Sequence, residues 1–263
     1  MKKAILVVSF GTSYEDARRK CIESIEHYIQ EAFTTYEVRR AFTSNFIIKK
    51  LKERDGLQVD TVKEALTRLK HDGFNEVYIQ PLHIIPGHEY DKIKRQVIPF
   101  LKHLDVLKLG TPLLYEMDDY SRVVEALRIQ TTEMSKADMV LMMGHGTDHF
   151  ANGLYLTLQH FIDRANLPIM IGNVEGYPEI DDLLPKLKLM QLTSISIMPF
   201  MLVAGDHARN DMAGDDDTSW ASRLENEGYD VDVHIRGLGE NINIQNIFIS
   251  KVKLLINEEP SNE

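Results

Sequence analysis

The sequence has a single cysteine, Cys21, among its 263 residues. One thiol cannot form an internal disulfide, and such sparse cysteine usage suits a reducing compartment. Cys21 falls in a predicted helix, where a small packing residue is a more frequent role than a nucleophile. We therefore expect a cytoplasmic protein whose chemistry does not depend on a thiol.

Long apolar runs are also missing from the sequence. No stretch approaches the roughly 18 consecutive apolar residues of a membrane-spanning helix. The apolar run at 4–8 follows two lysines but is too short for a signal peptide, and it leads into a turn and a charged helix rather than a cleavage site. The sequence therefore predicts no contact with a membrane.

Positive charge is in the minority, with 30 Lys and Arg against 40 Asp and Glu and a net charge of −10. Binding to nucleic acid requires a basic surface, so we expect no nucleic-acid partner. An acidic protein attracts metal cations, whereas a polyanionic substrate would require basic side chains gathered locally. The length allows one large or two medium α/β domains.

Short apolar segments alternate with amphipathic segments along the whole chain. This alternation predicts an α/β protein with parallel sheets flanked by helices. The predicted strands are 3–9, 36–42, 76–82, 106–109, 139–143, 168–174, 194–201 and 231–235, and the predicted helices are 13–32, 45–54, 61–71, 88–103, 118–132, 150–165, 180–190, 219–227 and 241–257. Ser13 and the pair Thr43-Ser44 are the expected N-caps of the first two helices.

Two sequence segments recur in the same order in the two halves of the chain. VVSFGT at 7–12 resembles MMGHGT at 142–147, and PLHIIPGHE at 81–89 resembles PFMLVAGDH at 199–207. Two matches in register predict a duplication. The expected division is a lobe at 1–117, a second lobe at 118–240, and a C-terminal helix and tail at 241–263. Two such lobes facing each other would form a cleft at the carboxyl ends of both sheets, where α/β proteins bind ligands.

Residues that commonly bind metals follow three strands of the second half. His145 lies between two glycines, Glu175 follows the next strand, and His207 follows the third. Because neighbouring strands of a parallel sheet end at one edge, these side chains can converge. Two imidazoles and one carboxylate predict a site with open coordination positions for Co²⁺, Fe²⁺, Ni²⁺ or Zn²⁺. Singly, each residue has a plainer role, as a turn histidine, a helix cap or a solvated loop residue.

The glycines beside His145 are expected to let a bulky ligand approach the backbone. In the first half, the matching positions hold Phe10 and Glu89. Phe10 would offer an aromatic face to a flat ligand. Glu89 has two interpretations. It acts either as a second proton acceptor or waypoint for the ion, or it is simply an acidic residue favoured at a helix N-terminus.

Several segments together resemble a known family: SFGTS at 9–13, MGHG at 143–146, VEGYPE at 174–179, PFMLVAGDHA at 199–208 and NDMA at 210–213. On these motifs the chain resembles the anaerobic sirohydrochlorin cobaltochelatases of CbiK type, in the class II chelatase superfamily, from residue 2 to about residue 241. The resemblance implies a lyase that inserts Co²⁺ into the tetrapyrrole sirohydrochlorin in cobalamin biosynthesis. It also implies two α/β lobes with the tetrapyrrole between them.

The resemblance assigns His145, Glu175 and His207 to the ion, which is a substrate. The expected catalytic residues are His145, whose imidazole can accept a proton, and Glu89, from its position in the first half. The expected tetrapyrrole contacts are Phe10, Gly11, Thr12, Leu82, His83 and Met201. The basic residues considered for the substrate carboxylates are Arg39, Arg40, Lys49, Arg54, Lys92, Lys94, Arg95 and Arg209, with Lys92 and Arg209 favoured by position. No nucleotide or redox cofactor is implied, and the sequence has no P-loop or dinucleotide glycine motif.

Three other functions stay open at this stage. Insertion of Fe²⁺, for siroheme or another porphyrin, needs the same ligands, because metal preference is weakly encoded. A non-catalytic carrier would bind a metal or a tetrapyrrole without joining them. A phosphatase with His145 as nucleophile is disfavoured, because no arginine adjoins that histidine to hold a phosphate. The sequence does not determine the oligomeric state, and a homo-oligomer stays open as well.

Overall fold

Two parallel β-sheets with helices packed on them make up the fold in a computed structural model that describes residues 2–257. The α/β architecture predicted from the sequence is confirmed. The described residues divide into two units, the first comprising residues 2–115 and 242–257 and the second comprising Glu116–Asn241. Within the described part of the chain, no helix combines the length and apolar character needed to cross a membrane.

The first unit is built on a parallel sheet with the strand order β2-β1-β3-β4. Its strands are β1 (Lys2–Ser9), β2 (Glu37–Phe42), β3 (Phe74–Pro81) and β4 (Val106–Leu109), and its first helices are α1 (Glu15–Ala17), α2 (Ser24–Ala32), α3 (Asn45–Asp55), α4 (Val62–His71) and α5 (His88–Val97). Ala4, Leu6 and Val8 of β1 form one core with α4 and α5. Ile5 and Val7 are buried as well, so β1 is covered on both faces, as parallel strands usually are.

The second unit repeats this order as β6-β5-β7-β8. Its helices and strands are α6 (Met117–Met134), β5 (Met139–Gly146), α7 (Gly153–Arg164), β6 (Ile169–Glu175), α8 (Ile180–Leu189), β7 (Ser194–Pro199), α9 (Trp220–Asn226) and β8 (Asp230–Val233). Met139, Leu141 and Met143 of β5 pack with α8 and α9 in the core. Val140 and Met142 are buried as well, so β5 is covered on both faces, and its exposed residue, His145, lies near the carboxyl end of the strand.

The last helix, α10 (Ile242–Asn257), packs on β3 and α2 and belongs to the first unit. The sequence analysis set it apart as a separate C-terminal segment. Its buried face, which includes Ile244, Phe248 and Val252, explains the packing, because these residues recur at the spacing of one helix face. The tail at 258–263, also named in that prediction, lies outside the described residues.

Two predicted helices differ from the observed ones. The first begins at Glu15 with no side-chain cap, so Ser13 is not its N-cap, and its backbone is π-helical over Arg18–Glu23. The helix expected at 88–103 ends at Val97 and continues only as a short 3-10 turn. Pro99 accounts for this end, because proline has no N–H to donate to the preceding turn. The expected cap of α3 forms, since Ser44 Oγ accepts a hydrogen bond from Ile47 N at 3.3 Å.

The two segments that resemble each other in sequence also make the same backbone hydrogen bonds. The paired bonds are Leu82 N to Val8 O with Phe200 N to Met143 O, both 2.7 Å, and Gly87 N to Ile85 O with Gly205 N to Val203 O, at 2.9 and 3.0 Å. The third strand of each sheet therefore leaves the sheet by the same path. In each unit this path leads to the residue that the sequence comparison paired, Glu89 in the first and His207 in the second.

Asp138 joins the start of β5 to the start of β7. Its Oδ2 accepts hydrogen bonds from the backbone N–H and the hydroxyl of both Thr193 and Ser194, at distances between 2.8 and 3.2 Å. These bonds lower the pKa of Asp138 from 3.8 to about 2. Because the folded carboxyl is more acidic than the unfolded one, the bonds stabilise the fold above the unfolded pKa, and this stabilisation is lost as the pH falls towards the folded pKa.

We expect Asp138→Asn to lower the melting temperature at neutral pH by a few degrees. Between about pH 4 and about pH 2 the wild type should lose stability that the variant never had, so their melting temperatures should converge there. Thermal unfolding followed by circular dichroism across this pH range checks the prediction. A constant difference between the two proteins over the whole range would contradict it.

Candidate metal centre

His145, Glu175 and His207 come together at the carboxyl end of the second unit's sheet. Each offers one ligand atom, and these atoms lie within 4.8 Å of one another. Ligand bonds of about 2.0–2.2 Å in tetrahedral geometry place two ligands of one ion roughly 3.3–3.6 Å apart, so side-chain shifts of about 1 Å would close the site. The imidazole rings of His145 and His207 are also close, with centroids 4.8 Å apart at 87°.

The pairing of β5 with β6 positions two of these residues. β5 continues to Gly146, three residues beyond its predicted end at 143, and Gly146 lies opposite Glu175. His145 is therefore the penultimate residue of β5 rather than part of a loop after the strand, and its side chain is exposed. His207 comes after β7 and directly precedes a π-helical turn, Ala208–Met212.

Hydrogen bonds determine which nitrogen of each imidazole is available. His145 Nδ1 lies 3.0 Å from the Gly146 carbonyl oxygen, and His207 Nδ1 lies 2.7 Å from Asp211 Oδ2. A carbonyl and an ionised carboxylate can only accept, so in both histidines Nδ1 carries the proton and donates it. Nε2 then keeps its lone pair, which is the form in which histidine binds metals.

The glycines on either side of His145 are required by the protein's own packing. A Cβ on Gly144 would lie 2.5 Å from Asn173 Oδ1 and 2.8 Å from the Tyr155 ring. A Cβ on Gly146 would lie 1.6 Å from the Glu175 carbonyl oxygen, and Gly146 has a positive φ of 77°. From the sequence, these glycines were expected to admit a bulky ligand. In the structure, neighbouring strand and helix atoms already occupy that space.

A buried tyrosine and an asparagine support the turns that carry His145 and Glu175. Burial raises the pKa of the Tyr155 phenol to about 12 and outweighs the opposite effect of hydrogen bonds to the backbone of Gly146 and His145. The phenol therefore stays protonated. Asn152 Oδ1 accepts from Thr147 N at 3.1 Å, while its Nδ2 donates to Tyr177 O at 2.6 Å. The turns after β5 and β6 are thereby tied together. The sequence analysis singled out neither residue.

The expected tetrapyrrole contacts at the end of β1 differ in exposure. Phe10 is 49% exposed, whereas Thr12 is buried and its Oγ1 accepts a hydrogen bond from Tyr14 N at 3.2 Å. Gly11, with a φ of 94°, has the Phe42 ring packed against it. Leu82 is fully buried, because it continues β3 into the core, and it presents no side-chain surface to a ligand.

His83 and Glu89 lie in the first unit and contain buried atoms with unused hydrogen-bonding capacity. His83 Nε2 is 3.4 Å from Thr43 Oγ1, while His83 Nδ1 and Glu89 Oε2 are buried without a hydrogen-bond partner in the part of the chain described. Burial, with a contribution from the positive charge of Lys92, lowers the pKa of His83 to about 4, so its imidazole is neutral at physiological pH. Lys92 Nζ lies 3.8 Å from Glu89 Oε2 and donates to Thr43 O.

Most of the basic residues considered for substrate carboxylates contact carboxylates of their own unit. Those in ion pairs are Arg39, Arg40, Lys49, Arg54, Lys92 and Lys94. In the second unit, Arg209 Nε lies 3.5 Å from Ala204 O. Met201, the expected tetrapyrrole contact of this unit, is partly buried against the core.

The family model described as cobalt chelatase (CbiK) matches residues 3–257. The chain belongs to the CbiK cobalt chelatase family. Its match covers both units, including the three residues of the candidate metal centre. The resemblance stated from sequence motifs is thus confirmed.

Two relatives support the same family. This CbiK family member is 43% identical to a sirohydrochlorin cobaltochelatase of Salmonella typhimurium over 257 residues, which are 98% of this chain and 97% of that protein. It is 33% identical to the sirohydrochlorin cobaltochelatase CbiKC of Nitratidesulfovibrio vulgaris over 242 residues, which are 91% of this chain and 85% of that protein.

Solved chelatase structures share the fold at low sequence identity. SirB from Bacillus subtilis, solved with Fe³⁺, superposes with a TM-score of 0.68 at 15% identity, covering 98% of this chain and 96% of SirB. CbiX, described as the terminal enzyme for the biosynthesis of siroheme in denitrifying bacteria, superposes with a TM-score of 0.58 at 15% identity, covering 95% of this chain and 98% of CbiX. The chelatase-like fold is therefore confirmed.

Proposed function

We propose that this chain is a sirohydrochlorin cobaltochelatase, which inserts Co²⁺ into sirohydrochlorin during cobalamin biosynthesis. The observation that carries the proposal is the convergence of His145, Glu175 and His207 within 4.8 Å at one sheet edge. The family supports the choice of a chelatase, and the names of the two relatives support sirohydrochlorin as the tetrapyrrole and cobalt as the metal.

The ligand set suits an ion that must be released. Two imidazoles and one carboxylate bind borderline divalent ions such as Co²⁺, and three protein ligands leave coordination positions for the incoming ring nitrogens. A closed site of four thiolates would hold the ion far more tightly. His145 and Glu175 are exposed, so the ion has access to this site from solvent.

Insertion also requires the removal of two pyrrole N–H protons. While His145 Nε2 binds the ion, its lone pair is occupied; when the ion passes to the ring nitrogens, that lone pair becomes free. We assign to it the acceptance of one pyrrole proton, which suits an imidazole near neutral pH. The Nδ1–H bond to the Gly146 carbonyl would keep Nε2 directed at the same point throughout.

We assign the second proton to Glu89, whose Oε2 is buried with no hydrogen-bond partner within residues 2–257. The lone pairs of this oxygen are not used in a hydrogen bond, and Lys92 Nζ, 3.8 Å away, favours the ionised carboxylate that can accept a proton. Phe10, with about half of its surface exposed, is the first-unit residue that we assign to stacking on the flat ring. Aromatic side chains favour offset stacking against other π-systems.

The test is anaerobic insertion of Co²⁺ into sirohydrochlorin, followed by visible absorption with and without the protein. We expect a rate well above that of the protein-free reaction. If the protein accelerates insertion of Fe²⁺ but not of Co²⁺, its function is instead the insertion of iron. Binding of both ion and ring with no acceleration would indicate a carrier, and release of phosphate from a phosphomonoester would indicate a phosphatase.

A further inference from the structure

The contact between His207 and Asp211 differs from the contact that orients His145. His207 Nδ1 donates to a carboxylate oxygen at 2.7 Å, whereas His145 Nδ1 donates to a neutral backbone carbonyl at 3.0 Å. The shorter distance is typical of a hydrogen bond assisted by charge. Of the two histidines in the cluster, only His207 therefore has an ionised partner on its far nitrogen.

We propose that Asp211 is a positioning residue that sets the affinity of this site for Co²⁺ through His207. The inference rests on the proposed function of the cluster. A carboxylate that accepts the Nδ1 proton holds the ring in one tautomer and one orientation and makes Nε2 a stronger donor to a metal. Carboxylate–histidine–metal chains of this kind change metal affinity by about 10–100-fold when the carboxylate is removed.

The backbone supports this geometry. His207 and Asp211 are four residues apart, and the intervening residues form the π-helical turn Ala208–Met212. Ala208 and Met212 are buried in the core of the second unit, so the turn is anchored while its other face carries the pair. Side chains four residues apart on a helical turn are neighbours, and the carboxylate is therefore held beside the imidazole before any ion arrives.

A purely structural role predicts a different outcome. The Asp211 side chain is 48% exposed and that of His207 is 33% exposed. Ion pairs with this much exposure contribute little to folding stability, because water screens the charges. Loss of Asp211 should therefore leave the melting temperature of the metal-free protein nearly unchanged, whereas a positioning role requires a large change in metal affinity.

The test titrates the full chain with Co²⁺ alone and follows the visible absorption of the bound ion. We expect Asp211→Asn and Asp211→Ala to raise the Kd for Co²⁺ by about 10–100-fold. In the insertion assay the rate of each variant should recover at high Co²⁺, so that KM for the ion rises more than kcat falls. Asp215→Asn is the matched control, because it removes the same charge from the exposed segment just after the turn, and its Kd should stay near the wild-type value.

Two further results separate the ways in which the inference can fail. If His207→Ala weakens Co²⁺ binding but Asp211→Asn and Asp211→Ala do not, Asp211 has no positioning role and the ligand set stands. If His207→Ala leaves the Kd unchanged, the ligand set itself is wrong, and the inference falls with it. An equal loss of affinity in Asp215→Asn would also overturn the inference, because it would point to the summed negative charge of the loop.

Discussion

Replacing His145 with alanine is expected to abolish Co²⁺ insertion while sirohydrochlorin still binds. The variant loses one of three metal ligands and the imidazole that we assign to the pyrrole proton. Loss of a positioned acid–base group alone typically costs about 10²–10⁴-fold in rate, and loss of a ligand adds to this. The rate of insertion is measured by visible absorption under anaerobic conditions, and tetrapyrrole binding by the shift of its absorption bands in the absence of metal.

His160→Ala is a matched control for this variant. His160 is an exposed histidine of α7 in the same unit, and its removal should leave the insertion rate unchanged. His145→Ala with more than half of the wild-type rate would contradict the proposal that His145 takes part in the reaction. Loss of tetrapyrrole binding together with loss of rate would show that His145 acts in substrate binding rather than in proton transfer.

Gly146→Ala should have the second large effect, this time on the fold of the site. The new methyl group would lie 1.6 Å from the Glu175 carbonyl oxygen, and alanine would have to adopt a φ of 77°. Relief requires β5 and β6 to separate where they carry His145 and Glu175. We expect the free energy of unfolding to fall by more than about 3 kcal/mol, with loss of Co²⁺ binding.

Gly153→Ala is the natural comparison for this variant. Gly153 begins α7 with a negative φ of −57°, and within residues 2–257 no atom outside its chain neighbours and its own helix backbone lies within 4 Å of a Cβ added there. Alanine there should leave stability unchanged or raise it slightly, because it restricts the unfolded chain. Urea unfolding of both variants, with Co²⁺ titration of the folded protein, checks the pair. Equal stabilities for the two variants would mean that β5 and β6 accommodate the methyl group.

The convergence of the three candidate ligands was predictable because each one comes at the end of a strand that is apolar enough to recognise. Met139–Met143 is a continuous apolar run, the strands before Glu175 and His207 are rich in apolar residues, and a parallel sheet brings the ends of such strands to one edge. The residue types then pointed to the chemistry. The duplication was predictable for the same reason, since both copies of the turn kept their spacing from the strand.

Asp211 shows what the sequence analysis missed. It is one of several acidic residues that follow His207 in the sequence, and its spacing of four residues from that histidine was the available signal. That spacing acquires meaning only when the intervening backbone is helical, and no sequence pattern indicated a π-helical turn in an acidic loop. Tyr155 and Asn152 left no signal, because their contacts with the turns after β5 and β6 depend on tertiary packing.

Local composition determined the α/β class, the order of strands and helices, and the identity of the candidate ligands, because each of these follows from residues close together in the chain. The tertiary structure alone decided that protein atoms fill the space beside Gly144 and Gly146, that Leu82 is sealed in the core, and that α10 packs on the first unit. These outcomes depend on contacts between residues far apart in sequence. Which side chain occupies a given space is settled only when the strands and helices pack together.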